Sequence, residues 1–157
     1  MSGWTGSQDS PSVSVCIFCD DFNDNDFNTP AGPWIPKKGV WSAASADAVG
    51  STRSKGDLVS PDFSCTTCTF EAHISVQAGG RVSLFGWYTD GGRSVEIQLM
   101  QDKQKLFIKQ NSGAASIKAT TPFPIAANTP YDVQASFDGT NFQVTVNGAP
   151  VPALTIA

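Results

Sequence analysis

The sequence predicts an all-β protein, an antiparallel β-sandwich, and three observations carry that prediction. Apolar and polar residues alternate with a period of two over much of the chain, which places one face of each segment in a core. Clusters of Gly, Asn, Asp and Ser interrupt the alternation about every 8–12 residues. No stretch carries apolar residues at i, i+3, i+4 and i+7 over three turns, so helix signals are nearly absent.

The first clear strand is residues 70–76, where Phe70, Ala72, Ile74 and Val76 alternate with Glu71, His73, Ser75 and Gln77. Gly79-Gly80 ends it. Residues 82–88 follow, then the turn signal Asp90-Gly91-Gly92, then residues 94–100, 105–110 and 116–121, with Asn111-Ser112-Gly113 before the last of these. In residues 131–137, Tyr131, Val133, Ala135 and Phe137 share one face. Asp138-Gly139 leads into Phe142, Val144 and Val146, and Asn147-Gly148 follows. Asp-Gly and Asn-Gly supply the positive φ of tight hairpin turns, so this region reads as consecutive hairpins. Residues 28–56 are richer in Gly, Pro, Ala and Ser and are expected to be loops over the sandwich ends rather than a linker. Residues 1–15 are expected to be a flexible N-terminal segment, and residues 16–157 a single β-sandwich domain. The first fifteen residues have neither a basic region nor an apolar run, and so do not read as a signal peptide.

Composition narrows the function classes. The chain has 157 residues, of which 40% are hydrophobic and 15% charged, with 10 Lys+Arg against 14 Asp+Glu for a net charge of −4. No basic stripe is visible, which argues against a nucleic-acid partner. No apolar run approaches the roughly 18 residues of a membrane helix, so no membrane span is expected. Ten Phe, four Trp and two Tyr argue for a packed core rather than disorder.

Asp20-Asp21-Phe22, Trp34, Gly39-Val40-Trp41, the Phe-Glu-Ala strand from Phe70, and the Tyr-x-Val…Asp-Gly…Val-Asn-Gly pattern from Tyr131 to Gly148 form a recognisable series. Together these segments resemble the concanavalin A-like lectin/glucanase superfamily, including its laminin-G-like branches. The resemblance runs from Cys19 to Gly148. It implies a jelly roll of two curved sheets with carbohydrate bound on the concave face or rim. Two departures matter. Family members commonly continue past the Asn-Gly hairpin, whereas here only a short segment, including residues 151–156, follows it. The closing strand is then short, formed differently, or supplied by another subunit. The hydrolytic branch also carries a Glu-x-Asp-x-x-Glu strand, which this chain lacks. That argues against glycosidase activity.

Cys16, Cys19, Cys65 and Cys68 form two C-x-x-C pairs. Three readings stay open: two disulfides, as in an exported domain; one tetrahedral zinc site; or four reduced thiols. The acidic stretch 20–26 offers hard oxygen ligands, and calcium would be held by Asp21, Asn23 and Asp26. The resemblance supports a calcium near the first strand, whereas an Asx-rich solvated turn explains the same residues without metal.

Strand parity selects the candidate binding surface. With Val82, Leu84, Val95, Ile97, Leu99, Leu106 and Ile108 in the core, Phe85, Trp87, Glu96, Gln98 and Phe107 point outward, as does His73 on its own strand. Aromatic rings beside carboxylate, amide and imidazole groups suit a sugar, which offers apolar C–H faces and hydroxyls. The alternative is that Phe85 and Trp87 pack beneath the 28–56 segment as further core. The expected function is therefore a non-catalytic carbohydrate- or surface-ligand-binding module of an exported protein, extracellular (with a virion or intracellular location as the alternative) and requiring no cofactor. A structural subunit of an extracellular or viral assembly, completed through its C-terminal edge by a neighbouring chain, is the second reading. A glycan hydrolase using Glu71 and Glu96 is the third.

Overall fold

The computed structural model describes residues 20–28, 33–45, 47–51, 57–59, 69–90, 93–112, 116–138 and 140–154. The chain divides into two compact units, Met1–Phe63 and Ser64–Ala157.

In the first unit, β1 (Ile35–Lys38) pairs with β4 (Asp57–Val59), and β2 (Val40–Ala44) pairs with β3 (Asp47–Ser51), both antiparallel. Residues 28–56 are thus not loops, as the composition suggests, but hold three short strands. Their runs of Ala, Ser and Gly mute the alternation that announces a strand. Pairing rescues one such glycine: Trp41 lies opposite Gly50, and its indole carbons fill the space a Cβ would take. Ahead of β1, Phe22 packs edge-on against Phe27 at 6.1 Å and tilted against Trp34 at 5.9 Å. The Trp34 Nε1–H donates to Asp20 Oδ2 at 2.6 Å.

The second unit is the sandwich. One sheet has the order β12-β11-β10-β5, with β5 (Thr69–Ile74), β10 (Tyr131–Phe137), β11 (Phe142–Val146) and β12 (Ala149–Pro150). The other runs β6-β7-β8-β9, with β6 (Arg81–Asp90), β7 (Arg93–Met100), β8 (Lys105–Ser112) and β9 (Ser116–Pro122). Both sheets turn their apolar faces inward to one core. Val95, Ile97, Leu99, Leu106 and Ile108 come from one sheet, and Tyr131, Val133, Ala135, Phe142, Val144 and Val146 from the other, all buried. At the core's edge the Tyr131 hydroxyl accepts the Ala126 amide at 2.9 Å, so the polar end of a buried ring has a partner.

The turns follow their sequence signals. Asn147 and Gly148 have φ of 51° and 73°, the two positive values of the type I′ turn that joins β11 to β12. At the β10–β11 hairpin, Asp138 Oδ1 accepts the amides of Asn141 at 2.7 Å and Thr140 at 2.8 Å. Gln104, at φ 52°, acts as a turn clamp between β7 and β8: its side-chain amide exchanges two hydrogen bonds with the Ile125 backbone, at 2.8 and 3.0 Å.

Two carboxyls on this unit are held below the ordinary aspartate value of 3.8. The cause is the Asn141 and Thr140 amides for Asp138, and the hydrogen-bonding Arg81 guanidinium for Asp102. A carboxyl whose folded value is depressed contributes stability at pH above its unfolded value and loses it as pH falls through the folded value. Melting temperature is therefore expected to decline below about pH 4. Asp138→Asn, which keeps an acceptor but cannot titrate, is expected to flatten part of that decline. An unchanged acid limb in thermal melts would remove Asp138 from it.

After β12, Val151 N–H donates to Val144 O at 2.8 Å, and a single 3-10 turn, Pro152–Leu154, buries Leu154 completely. That turn packs against both β9 and β11, one from each sheet. Among the described residues, the segment after the Asn-Gly turn is thus a two-residue strand and a plug.

Candidate functional site

The outward face of the β6–β9 sheet brings together most of the predicted binding residues. Register places Phe85 opposite Glu96 and Ser83 opposite Gln98, and across the next pair Glu96 faces Lys109 and Gln98 faces Phe107. A polar pair on the central strand β7 is therefore flanked by an aromatic residue on β6 and another on β8. Phe85, Glu96, Gln98, Phe107 and Lys109 are all half-buried.

The polar pair is ordered by Ser83. Its hydroxyl donates to Glu96 Oε1 at 2.6 Å, and the Gln98 amide donates to Ser83 Oγ at 2.8 Å and to Glu96 Oε1 at 3.3 Å. One carboxylate oxygen is thus occupied. Among the described residues no donor meets Glu96 Oε2, and none meets the Gln98 carbonyl oxygen. The face presents two planar acceptors held in place between rings. Parity turns Ser83 outward together with Phe85, but its role depends on the β6–β7 register, which alternation alone does not encode. At one corner, Arg81 grips Asp102 with two hydrogen bonds, Nε to Oδ1 at 2.9 Å and a terminal nitrogen to Oδ2 at 2.6 Å.

His73 is not part of this surface. It lies on β5, which pairs with β10, so its outward side is the outer face of the opposite sheet. There its Nδ1 meets Asp132 Oδ1 at 2.5 Å with both side chains more than half exposed. Glu71 shares that outer face, where Gln134 donates to it at 3.1 Å. The shared-surface expectation fails for His73 because strand parity says which way a side chain points and not which sheet it belongs to. The same separation removes the acid/base pair. Catalytic carboxyls stand about 5–9.5 Å apart, whereas Glu71 and Glu96 point away from each other on sheets stacked about 10 Å apart.

Trp87 lies on β6, with its side chain outside the described residues. Cys16, Cys19, Cys65 and Cys68 also lie outside them. Asp21, Asn23 and Asp26 sit in a run of Asx turns. Asp21 accepts the Asn23 amide at 3.1 Å and its side-chain Nδ2 at 2.5 Å, and Asp26 accepts the Asn28 amide at 2.6 Å. The Asn23 backbone bond, then its side chain, hold the Asp21 carboxyl below its ordinary value. Among the described residues no three His, Cys, Asp or Glu side chains group as a metal site. Among them, too, no helix is long and apolar enough to cross a membrane.

Two antiparallel four-stranded sheets around one core define a β-sandwich. The chain is similar in structure to the carbohydrate binding module CBM66 from Bacillus subtilis, with a TM-score of 0.66 over 75% of this chain and 76% of that one. Sequence identity is 16%, so the likeness is one of fold. No family model matches the chain, and no curated protein matches it.

Proposed function

We propose that this chain is a non-catalytic carbohydrate-binding module of an exported protein, on a concanavalin A-like jelly roll. The outer face of the β6–β9 sheet is its binding surface. The observation that carries this reading is the Glu96–Gln98 pair, ordered by Ser83 and flanked by Phe85 and Phe107. A sugar ring stacks its C–H face on an aromatic ring and donates hydroxyls to fixed planar acceptors, so both halves of the recognition are present. The fold shared with a carbohydrate binding module supports the same reading.

A glycan array followed by calorimetry on the best-bound sugar tests it. Phe107→Ala is expected to weaken binding about five- to tenfold, the order of one lost aromatic contact. Glu96→Gln, which keeps the shape but removes the charged acceptor, is expected to weaken it as well. His73→Ala, on the opposite face, is expected to leave it unchanged. Equal affinities for wild type and Phe107→Ala would move the site off this face, and an array with no bound glycan would sink the reading.

A further inference from the structure

We propose that the glycan taken by this face is anionic, a chain bearing carboxylate or sulfate groups, with Lys105, Lys109 and Lys118 as its cationic contacts. This rests on the carbohydrate-binding reading above and adds the chemical class of ligand.

The β8–β9 register sets Lys109 directly opposite Lys118. Like charges facing each other across a strand pair destabilise a sheet unless something neutralises them. Among the described residues neither lysine has an ion pair. The carboxylate facing Lys109 from β7 is Glu96, and it accepts from Ser83 and Gln98 instead. Arg81 on the same face shows the contrast, because Asp102 already neutralises it with two hydrogen bonds.

Placement makes the lysines part of the site. Lys105 and Lys109 flank Phe107 on the same side of β8, two residues away in each direction. The ring proposed to stack on sugar therefore has an ammonium group before and after it along the strand, and a third across from Lys109. Glu96 is the one carboxylate among the described outward-facing residues of β6 to β9. Among the described side chains of this face, Lys105, Lys109 and Lys118 outnumber that carboxylate, although the chain carries a net charge of −4.

Edge protection does not account for the arrangement. A lysine on an edge strand discourages pairing with another chain, and Lys118 lies on the edge strand β9. Lys109 lies on β8, which is paired on both sides, and it is half-buried. A charge there has no edge to protect.

The experiment compares polysaccharides of matched backbone that differ in charge: polygalacturonate against its methyl ester, and dextran sulfate against dextran. Binding is measured by calorimetry at low and at physiological salt. At low salt the wild-type chain is expected to bind at least one charged member about tenfold more tightly than its neutral partner, the order expected of three weak ion pairs screened by solvent. That preference is expected to shrink as salt rises. The first pair reports a carboxylate ligand and the second a sulfate. The double variant Lys109→Gln/Lys118→Gln, its fold checked by circular dichroism, is expected to lose the preference. Salt dependence of the wild type tests the inference even if that variant does not fold.

Equal binding within both pairs, or a preference for the neutral members, overturns the anionic assignment and leaves the carbohydrate-binding reading standing. A charge preference that survives the double substitution in a folded variant overturns the lysine assignment. No binding to any of the four, together with an empty glycan array, overturns both.

Discussion

Truncating Leu154 to alanine is expected to cost about 2–5 kcal/mol, the range for emptying a fully buried leucine site. Leu154 is 0% exposed, and the 3-10 turn that carries it is pinned by Val151 N–H to Val144 O at 2.8 Å and Leu154 N–H to Val151 O at 2.9 Å. The turn that carries it packs against β9 of one sheet and β11 of the other, so loss of the side chain leaves a cavity that rigid strands can fill only by shifting. Urea unfolding measures the cost. The same truncation at Ile117, which is 48% exposed, supplies the comparison and is expected to cost far less. Equal costs at the two positions would mean that the C-terminal turn contributes no core packing.

Adding a single methyl at Gly86 is expected to destabilise the fold by about 1–3 kcal/mol through overpacking. Gly86 is an inward-facing residue of β6, and a Cβ there would lie closer than 3.0 Å to three ring carbons of Phe70 on β5. Phe70 packs against the core and cannot withdraw without opening space elsewhere. Phe85 precedes Gly86 on the opposite face, so a displaced β6 would also disturb one of the two rings flanking Glu96 and Gln98. Weaker glycan binding is expected to accompany the lost stability. The mechanism is tested by adding Phe70→Leu to Gly86→Ala. The pair is expected to cost less than the sum of the two single changes, because the smaller side chain makes room for the methyl. Strict additivity would show that the penalty does not come from this contact.

Both substitutions act at points where the two sheets meet, and such points are the least legible in the sequence. Gly86 reads as one more inward position of an alternating strand, with no indication that an aromatic ring from 16 residues earlier occupies its Cβ space. Leu154 reads as part of a short tail after a hairpin. The candidate site divides in the same way. Parity correctly turned Phe85, Glu96, Gln98 and Phe107 outward, and adjacent antiparallel strands made them neighbours. The identical argument turned His73 outward, yet β5 skips past β6 to β9 and pairs with β10, which puts that imidazole on the far side of the core. Ser83 was visible as an outward hydroxyl, whereas its part in ordering Glu96 needed the register between β6 and β7.

The sequence alone determined that the chain is an antiparallel β protein, where most strands of the second unit run, which side of each is apolar, and that Asn147-Gly148 makes a tight turn. These are local properties: a period of two, and the φ preferences of two adjacent residues, are written within a few positions of the chain. Only the tertiary structure decided which strands share a sheet, that residues 28–56 contain strands, that Lys109 faces Lys118, and that the face bearing Glu96 is not the face bearing His73. Strand pairing is settled by hydrogen bonds and packing between segments distant in sequence, and the same alternating pattern is compatible with several partners and registers until a core selects one.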